Sequence, residues 1–428
     1  MVLSYDDIVV RLCVSFYFSE NAMGTQKDPK NVVGRDNLID HIWSRLRMPP
    51  EQGSLRFTAE RRVGKTTILT KMASEPADGF DVLFLEVEGI DSCNAVVELL
   101  VNRMRPLLTK TEKAKALFEI FREAVGGVEV GGVIKLPAKS QLGWQATLDK
   151  AIEGFCQNRP DRTILLMFDE LPYMLQKIDE VSSKAEKPHE ALTLLDTLRA
   201  LRQRYPNLRM IFAGSVGLHH VLRELKQAKL ASEPVNNMPI IEIHPLERDD
   251  ALTLATQLLN AEKVTCADDL VEVANRIIEQ TSNVPFYMER IAGQLAMLGR
   301  PVEFGDVDTT VLEHLTNDHD PWEMEHFRSR LETYYRKTLT DVNGKPISEE
   351  SIARSILDHF AVTNEPLTIE QVWSYIRSQF ALNDRKYVVE ILKSLGQDHY
   401  LTCDLEKRYA FRYPLIKRWW KIAQGLAS

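Results

Sequence analysis

Short apolar runs alternate with helical patterns over roughly the first half of the chain. The runs are Leu55–Thr58, Val82–Val87, Ile164–Phe168, Met210–Ala213 and Ile240–Ile243. Four of them have the continuous apolar character of strands buried on both faces. Between them lie helical spacings. The first such spacing precedes the runs: Leu38, Ile39, Ile42 and Leu46 recur at helical intervals and stop at Pro49-Pro50, where a helix must end. Strands separated by helices predict an α/β layered domain built on a five-stranded parallel sheet. The glycine-rich stretch Gly126 to Val133 alternates in polarity and predicts a hairpin inserted between the second and third strands.

The pattern changes after Leu246. Three helical patterns follow to about Leu298 with no strand between them, which predicts a small helical lid subdomain over 246–318. Pro321–Leu339 reads as a connecting helix inside a 319–344 segment. Helices near Ser351–Val362, Ile369–Phe380 and Lys386–Gln397 precede a strand pair around Tyr400–Leu405 and Tyr409–Tyr413, then a Trp-rich helix. Three helices followed by a two-stranded wing predict a winged helix over 345–428. The sheet-bearing core is assigned to 31–245. Residues 1–30 are expected to be a poorly ordered extension. Their apolar stretch Ile8–Phe18 is broken by Arg11, is too short to span a bilayer and lacks a signal peptide's basic start.

A length of 428 residues exceeds what one hydrophobic core supports, in line with several domains. Hydrophobic residues at 44% and charged residues at 27% are ordinary for a soluble globular protein. The net charge of -8 gives no global reason to bind nucleic acid, although a local basic patch can still do so. Five scattered cysteines with no Cys-x-x-Cys pair argue against zinc and disulfides. They favour a reducing, cytoplasmic setting. No segment reaches transmembrane length, so no membrane partner is expected.

The chemistry starts at Ala59-Glu-Arg-Arg-Val-Gly-Lys65-Thr66, which follows an apolar run and precedes a helical pattern of Ile68, Leu69 and Met72. That context is the one a Walker A loop requires. Backbone N–H groups of such a loop, backed by a helix N-terminus, face the β-phosphate. Ala59, Arg62, Val63, Gly64, Lys65, Thr66 and Thr67 form the candidate cradle. Lys65 would bridge the β- and γ-phosphates and Thr66 would ligate Mg²⁺. Ala59 stands where the motif has its first glycine, and its Cβ restricts the loop.

Ile164-Leu-Leu-Met-Phe-Asp169-Glu170 reads as the Walker B partner. Asp169 would hold the Mg²⁺ shell and Glu170 would polarise the attacking water as general base. Ser215, at the tip of the Arg209–Gly214 strand, would orient water or sense the γ-phosphate. Each feature has a blander reading: a helix start, a helix cap with a solvated charge, a Gly-Ser turn. Their succession along the chain favours one nucleotide site.

On these residues the chain resembles the archaeal-type and STAND branches of the AAA-like P-loop ATPases, close to the initiator-type ATPases. The resemblance spans most of 31–425. It adds Val33-Gly-Arg35, Ile243-His-Pro-Leu246, Asn283-Val-Pro285, Tyr409-Ala-Phe-Arg-Tyr-Pro-Leu and Trp419-Trp420. It implies bound ATP with Mg²⁺, the Val33–Arg35 segment near the adenine, and Pro285 of the lid approaching the nucleotide from the other side. Relatives often carry an arginine shortly before the fifth strand; Glu233–Pro239 has none. Arg223 and Arg248 are alternatives, with surface pairing the more ordinary role for each. The resemblance therefore implies slow hydrolysis without a partner or assembly.

Two functions follow. In one, an ATPase acts as a conformational switch controlling self-assembly or a protein effector, with defence or stress response as a setting. In the other, it is an initiator-like ATPase whose winged helix contacts duplex DNA. Lys345–Ser428 holds 12 Lys+Arg against 10 Asp+Glu, but Lys407, Arg408, Arg412, Lys417, Arg418 and Lys421 follow its last acid. Interleaved Tyr409, Phe411, Tyr413, Trp419 and Trp420 fit either DNA contact or packing. Signatures for guanine, transporter or helicase chemistry are missing.

Overall fold

A computed structural model describes residues 32–108, 128–130, 133–135, 143–184, 189–214, 217–227 and 233–426. The N-terminal extension, Ser215 and the four glycines of the Gly126–Val133 stretch lie outside these residues. The described chain forms two compact units, one of 35–244 with 323–428, the other of 32–34 with 245–322.

In the first unit, α1 (Asp36–Leu46) buries Ile39, Ile42, Trp43 and Leu46, the i, i+3, i+4, i+7 face that the sequence spells. Strand β1 (Leu55–Thr58) leads into α2 (Lys65–Ser74), and β2 (Phe80–Glu86) into α3 (Cys93–Leu108). A short antiparallel hairpin, β3 (Val128–Val130) with β4 (Val133–Lys135), falls where alternation predicts one. Then come α4 (Gly143–Gln157), β5 (Thr163–Asp169), α5 (Leu171–Lys184), α6 (Glu190–Arg204), β6 (Leu208–Gly214), α7 (Leu218–Gln227) and β7 (Ile240–Glu242).

The five long-range strands form one sheet in the order β2-β5-β6-β1-β7, with every pair parallel. This is the predicted α/β class. The physical order differs from the chain order in a way that matters: β6 lies between β1 and β5. The loop after β1 and the acidic end of β5 therefore flank β6 at the carboxyl end of the sheet, where α/β sheets bind ligands. Ile164 to Phe168 are fully buried, as a strand covered on both faces requires. Helices α3, α4, α5 and α6 pack around it through Val97, Leu100, Phe155, Leu175 and Leu198.

The other unit is helical: α8 (Arg248–Ala261), α9 (Leu270–Thr281), α10 (Pro285–Met297) and α11 (Phe304–Leu315). Its fourth helix follows the three that the sequence makes plain. Pro285 occupies the first turn of α10, where its missing N–H costs nothing. Gly34 has φ +69°, and an added Cβ would lie 2.5 Å from that of Asp250. The Val33-Gly-Arg35 turn thus needs glycine for two independent reasons.

The chain then returns to the first unit through α12 (His326–Tyr334), shorter than the predicted connecting helix because residues 338–340 pair with 346–348 as β8 (Thr338–Thr340) and β9 (Pro346–Ser348). Next come α13 (Glu349–Val362), β10 (Leu367–Thr368), α14 (Ile369–Phe380), α15 (Arg385–Gln397), β11 (Leu401–Cys403), β12 (Arg408–Phe411) and α16 (Pro414–Ala423). Strand β10, too short to show in the sequence pattern, makes the sheet three-stranded, β10-β12-β11. Trp419 and Trp420 of α16 are buried, and the Trp420 indole donates to Asp358 Oδ1 at 2.8 Å. They are packing anchors. No helix among the described residues is long and apolar enough to cross a membrane, and Cys93, Cys156, Cys266 and Cys403 are free thiols.

Candidate nucleotide site

The loop after β1 ends at Gly64, whose φ of +96° is left-handed and open to glycine at no steric cost. No side chain caps the helix that starts at Lys65. Its first N–H groups are thus left for water or an anion. Two non-glycine residues here also adopt left-handed backbone: Arg62 at φ +73° and Glu170 at φ +60°. Such residues cost about 1–3 kcal/mol each and gather at functional sites.

Four side chains from segments more than a hundred residues apart meet at this point. Thr66 Oγ1 donates to Asp169 Oδ2 at 2.6 Å. Lys65 Nζ, nearly buried, lies 3.2 Å from Glu170 Oε1. The second carboxylate oxygen of Asp169, Oδ1, is buried and has no hydrogen-bond partner. Burial raises the Asp169 carboxyl above its usual range, with Lys65 and the Thr66 hydroxyl pulling the other way. An orphaned buried carboxylate oxygen beside a hydroxyl is a donor set that suits a hard divalent cation such as Mg²⁺. The residues present fit that ion.

Other predicted contacts fall as follows. Arg35 is buried and donates to the Val63 carbonyl at 2.7 Å, so it braces the loop as well as ending the Val33 turn. Ala59 and Val63 are buried, while Thr67 is half-buried on α2. Val33 and Pro285 belong to the helical unit. Ser215 falls outside the described residues. Arg223 pairs with buried Glu349 at 3.2 Å and donates to the Tyr334 carbonyl, while Arg248 donates to Asn275. Both arginines have structural partners.

Sequence reasoning missed a second set of residues around the loop. Glu60 is buried and accepts from Arg330, from the Arg61 backbone N–H at 2.7 Å, and lies near His326. Thr58 Oγ1 lies 3.0 Å from His399 Nε2. Arg62 pairs with Glu323. One signal was available: an acid inside an anion-binding loop must be neutralised by something. The partners, 261 to 341 residues later, had no signal at all.

The cations of the C-terminal stretch are largely spoken for. Arg408 pairs with Asp404 and Glu406, Arg412 with Glu242 and His399, and Lys417 donates to the Thr363 carbonyl at the end of α13. Lys386, Lys393 and Lys407 remain exposed. A cavity of about 770 Å³ lies beside the ends of β1 and β6 and is lined by Thr58, Gly214, His219, Glu242, His399 and Arg412 among others.

No family model matches the chain, and no curated protein does. Solved structures do. The Walker-type ATPase of Pyrococcus abyssi superposes with a TM-score of 0.61 at 13% identity, covering 94% of this chain and 99% of that one. The ORC2 protein of Aeropyrum pernix, in its ADP form, gives a TM-score of 0.45 at 12% identity over 95% and 97% of the two chains. At such identities the first likeness is one of fold, a P-loop α/β sheet with helical additions.

Proposed function

We propose that the protein binds ATP with Mg²⁺ and hydrolyses it slowly, as a nucleotide-dependent switch that controls self-assembly or a protein effector. The observation that carries this reading is the convergence of Lys65, Thr66, Asp169 and Glu170 at the carboxyl end of one sheet. In this reading the loop amides and Lys65 hold the phosphates, and Thr66 and Asp169 hold the cation, which supplies charge neutralisation. Glu170 accepts a proton from the attacking water. Lys65 Nζ lies 3.2 Å from Glu170 Oε1, so the phosphate-binding cation and the base share one site in this reading.

The fold likeness to a Walker-type ATPase supports the phosphate-loop part of this reading. The lack of an arginine in Glu233–Pro239, and the structural partners of Arg223 and Arg248, support slow turnover in the isolated chain. The test uses a fluorescent ATP analogue and a phosphate-release assay. Lys65→Ala should abolish binding. Glu170→Gln should keep it and lose about 10²–10⁴ in turnover, the usual contribution of a general base. A Glu170→Gln protein that hydrolyses ATP at the normal rate removes Glu170 from the mechanism.

A further inference from the structure

The phosphate loop is held from two sides. Its second half, Lys65 and Thr66, is tied to the acidic end of β5. Its first half and the strand end before it are tied to the C-terminal part of the chain at three alternate positions: Thr58 to His399, Glu60 to Arg330, Arg62 to Glu323. The middle tie is the most committed. Arg330 Nη1 and Nη2 donate to Glu60 Oε1 and Oε2, both at 3.2 Å, and both residues are almost fully buried. The same Oε1 accepts the Arg61 N–H, so the carboxylate also shapes the loop's opening turn.

Arg330 is itself fixed. Its guanidinium lies over the Phe327 ring at 5.0 Å and the Tyr400 ring at 4.9 Å, and the Tyr400 hydroxyl donates to the Phe327 carbonyl. Tyr400 immediately follows His399, which also bonds Arg412 at 2.8 Å. Asp398, on the other side of His399, accepts from the Tyr335 hydroxyl and lies 2.7 Å from His220 of α7. One short segment, Asp398 to Tyr400, thus touches the end of β1, the helix after β6 and the arginine that grips the loop. A bidentate guanidinium packed against two aromatic rings has little freedom, which makes it a rigid reference for whatever it holds.

We propose that Arg330 is a positioning residue for the phosphate loop: by fixing Glu60 it lets the C-terminal part of the chain set the affinity of the nucleotide site. Glu60 would otherwise be an unpaired negative charge in a loop that must receive an anion. Pairing turns it inward and cancels it. Movement of the C-terminal part, on docking of an effector or a second copy, then loosens the loop through Glu60 and changes its grip on phosphate. By linkage, nucleotide binding biases the C-terminal part equally. This rests on the nucleotide reading above for its ligand, though not for the loop geometry.

The test uses the full chain with Arg330→Gln, Arg330→Lys, Glu60→Gln and the Glu60→Gln/Arg330→Gln pair. Two quantities are read: affinity for a fluorescent ATP analogue with Mg²⁺, and amide hydrogen exchange across Glu60–Lys65 in nucleotide-free protein. Arg330→Gln should weaken affinity by about 10- to 100-fold, the loss typical when a group that orients a ligating group is removed. Exchange should accelerate in the loop while β2 and β5 keep their protection. Arg330→Lys should recover part of both effects, and the double variant should be less impaired than Arg330→Gln alone. Wild-type affinity and wild-type loop protection in Arg330→Gln overturn the proposal and leave the nucleotide reading intact. If the unaltered chain binds no nucleotide, that reading fails, and loop exchange alone decides whether Arg330 positions the loop. Should Arg330→Gln not fold, the lysine and double variants carry the comparison; loop protection equal to wild type in both, with affinity unchanged, again overturns it.

Discussion

Thr66 Oγ1 and Asp169 Oδ2 lie 2.6 Å apart across 103 residues of chain, hydrogen-bonded through the threonine hydroxyl. The bond sets the hydroxyl beside a carboxylate whose other oxygen is buried and unpartnered. A cation that satisfies that oxygen needs the hydroxyl next to it. Thr66→Ala should therefore raise the Mg²⁺ concentration required for hydrolysis by about 10- to 100-fold, and Thr66→Ser should restore it. A Mg²⁺ titration of phosphate release checks this; an unchanged requirement in Thr66→Ala takes Thr66 out of the ion's shell.

Acid stability should carry the mark of Glu60. Burial alone would raise its carboxyl, but Arg330 and the neighbouring histidines hold it at about 2 against an ordinary 4.5. A carboxyl depressed in the folded state contributes stability that is full above its unfolded value and is lost as protons bind. The loss therefore begins near pH 4.5 and grows as pH falls and the carboxyl takes up its proton. Glu242, depressed to about 2 chiefly by its contact with His399 and by Arg412, adds to the same limb with more screening from solvent. Denaturant unfolding between pH 7 and pH 3 should show a shallower acid limb for Glu60→Gln, from a lower starting stability. An identical pH slope in the variant contradicts the assignment.

Trp420 is fully buried, and its indole donates to Asp358. Trp420→Ala should cost about 3–5 kcal/mol by opening a cavity in the C-terminal core. Trp420→Phe should cost less, on the order of 1–3 kcal/mol, from the lost hydrogen bond and the unpaired carboxylate. Denaturant midpoints of the two variants measure both.

The engaged cations give a prediction about DNA. Arg408, Arg412 and Lys417 already have partners within the chain. Neutralising them should lower thermal stability and leave the salt slope of any duplex binding unchanged. Exposed Lys386, Lys393 and Lys407 are the side chains whose loss should reduce that slope, by about 0.9 for each phosphate contact removed. Binding isotherms at several salt concentrations separate the two sets. A slope that shrinks on neutralising Lys417 would mean that its bond to Thr363 opens in the complex.

Local chemistry explains how much could be read in advance. The β5 strand announces itself because Ile164 to Phe168 must be apolar to lie buried on both faces, and α1 because Ile39, Ile42, Trp43 and Leu46 must share one side. The phosphate loop is equally legible, since a left-handed Gly64 before Lys65 and Thr66 is a requirement of backbone geometry within a few residues. Strand β10 escaped notice because two residues carry no period, and Ser348, whose side chain caps α13, gave no hint that its strand pairs with 338–340.

The sheet class, the helices that flank it and the four side chains of the candidate site follow from local sequence, because each is set by spacing or by a motif spanning few residues. Only the folded arrangement places β6 between β1 and β5, gives Glu60 to Arg330, and engages Arg412 and Lys417 within the chain. Those relationships join residues far apart in the chain, and their partners are selected by burial: a charge removed from water must find its counter-charge wherever the fold brings one.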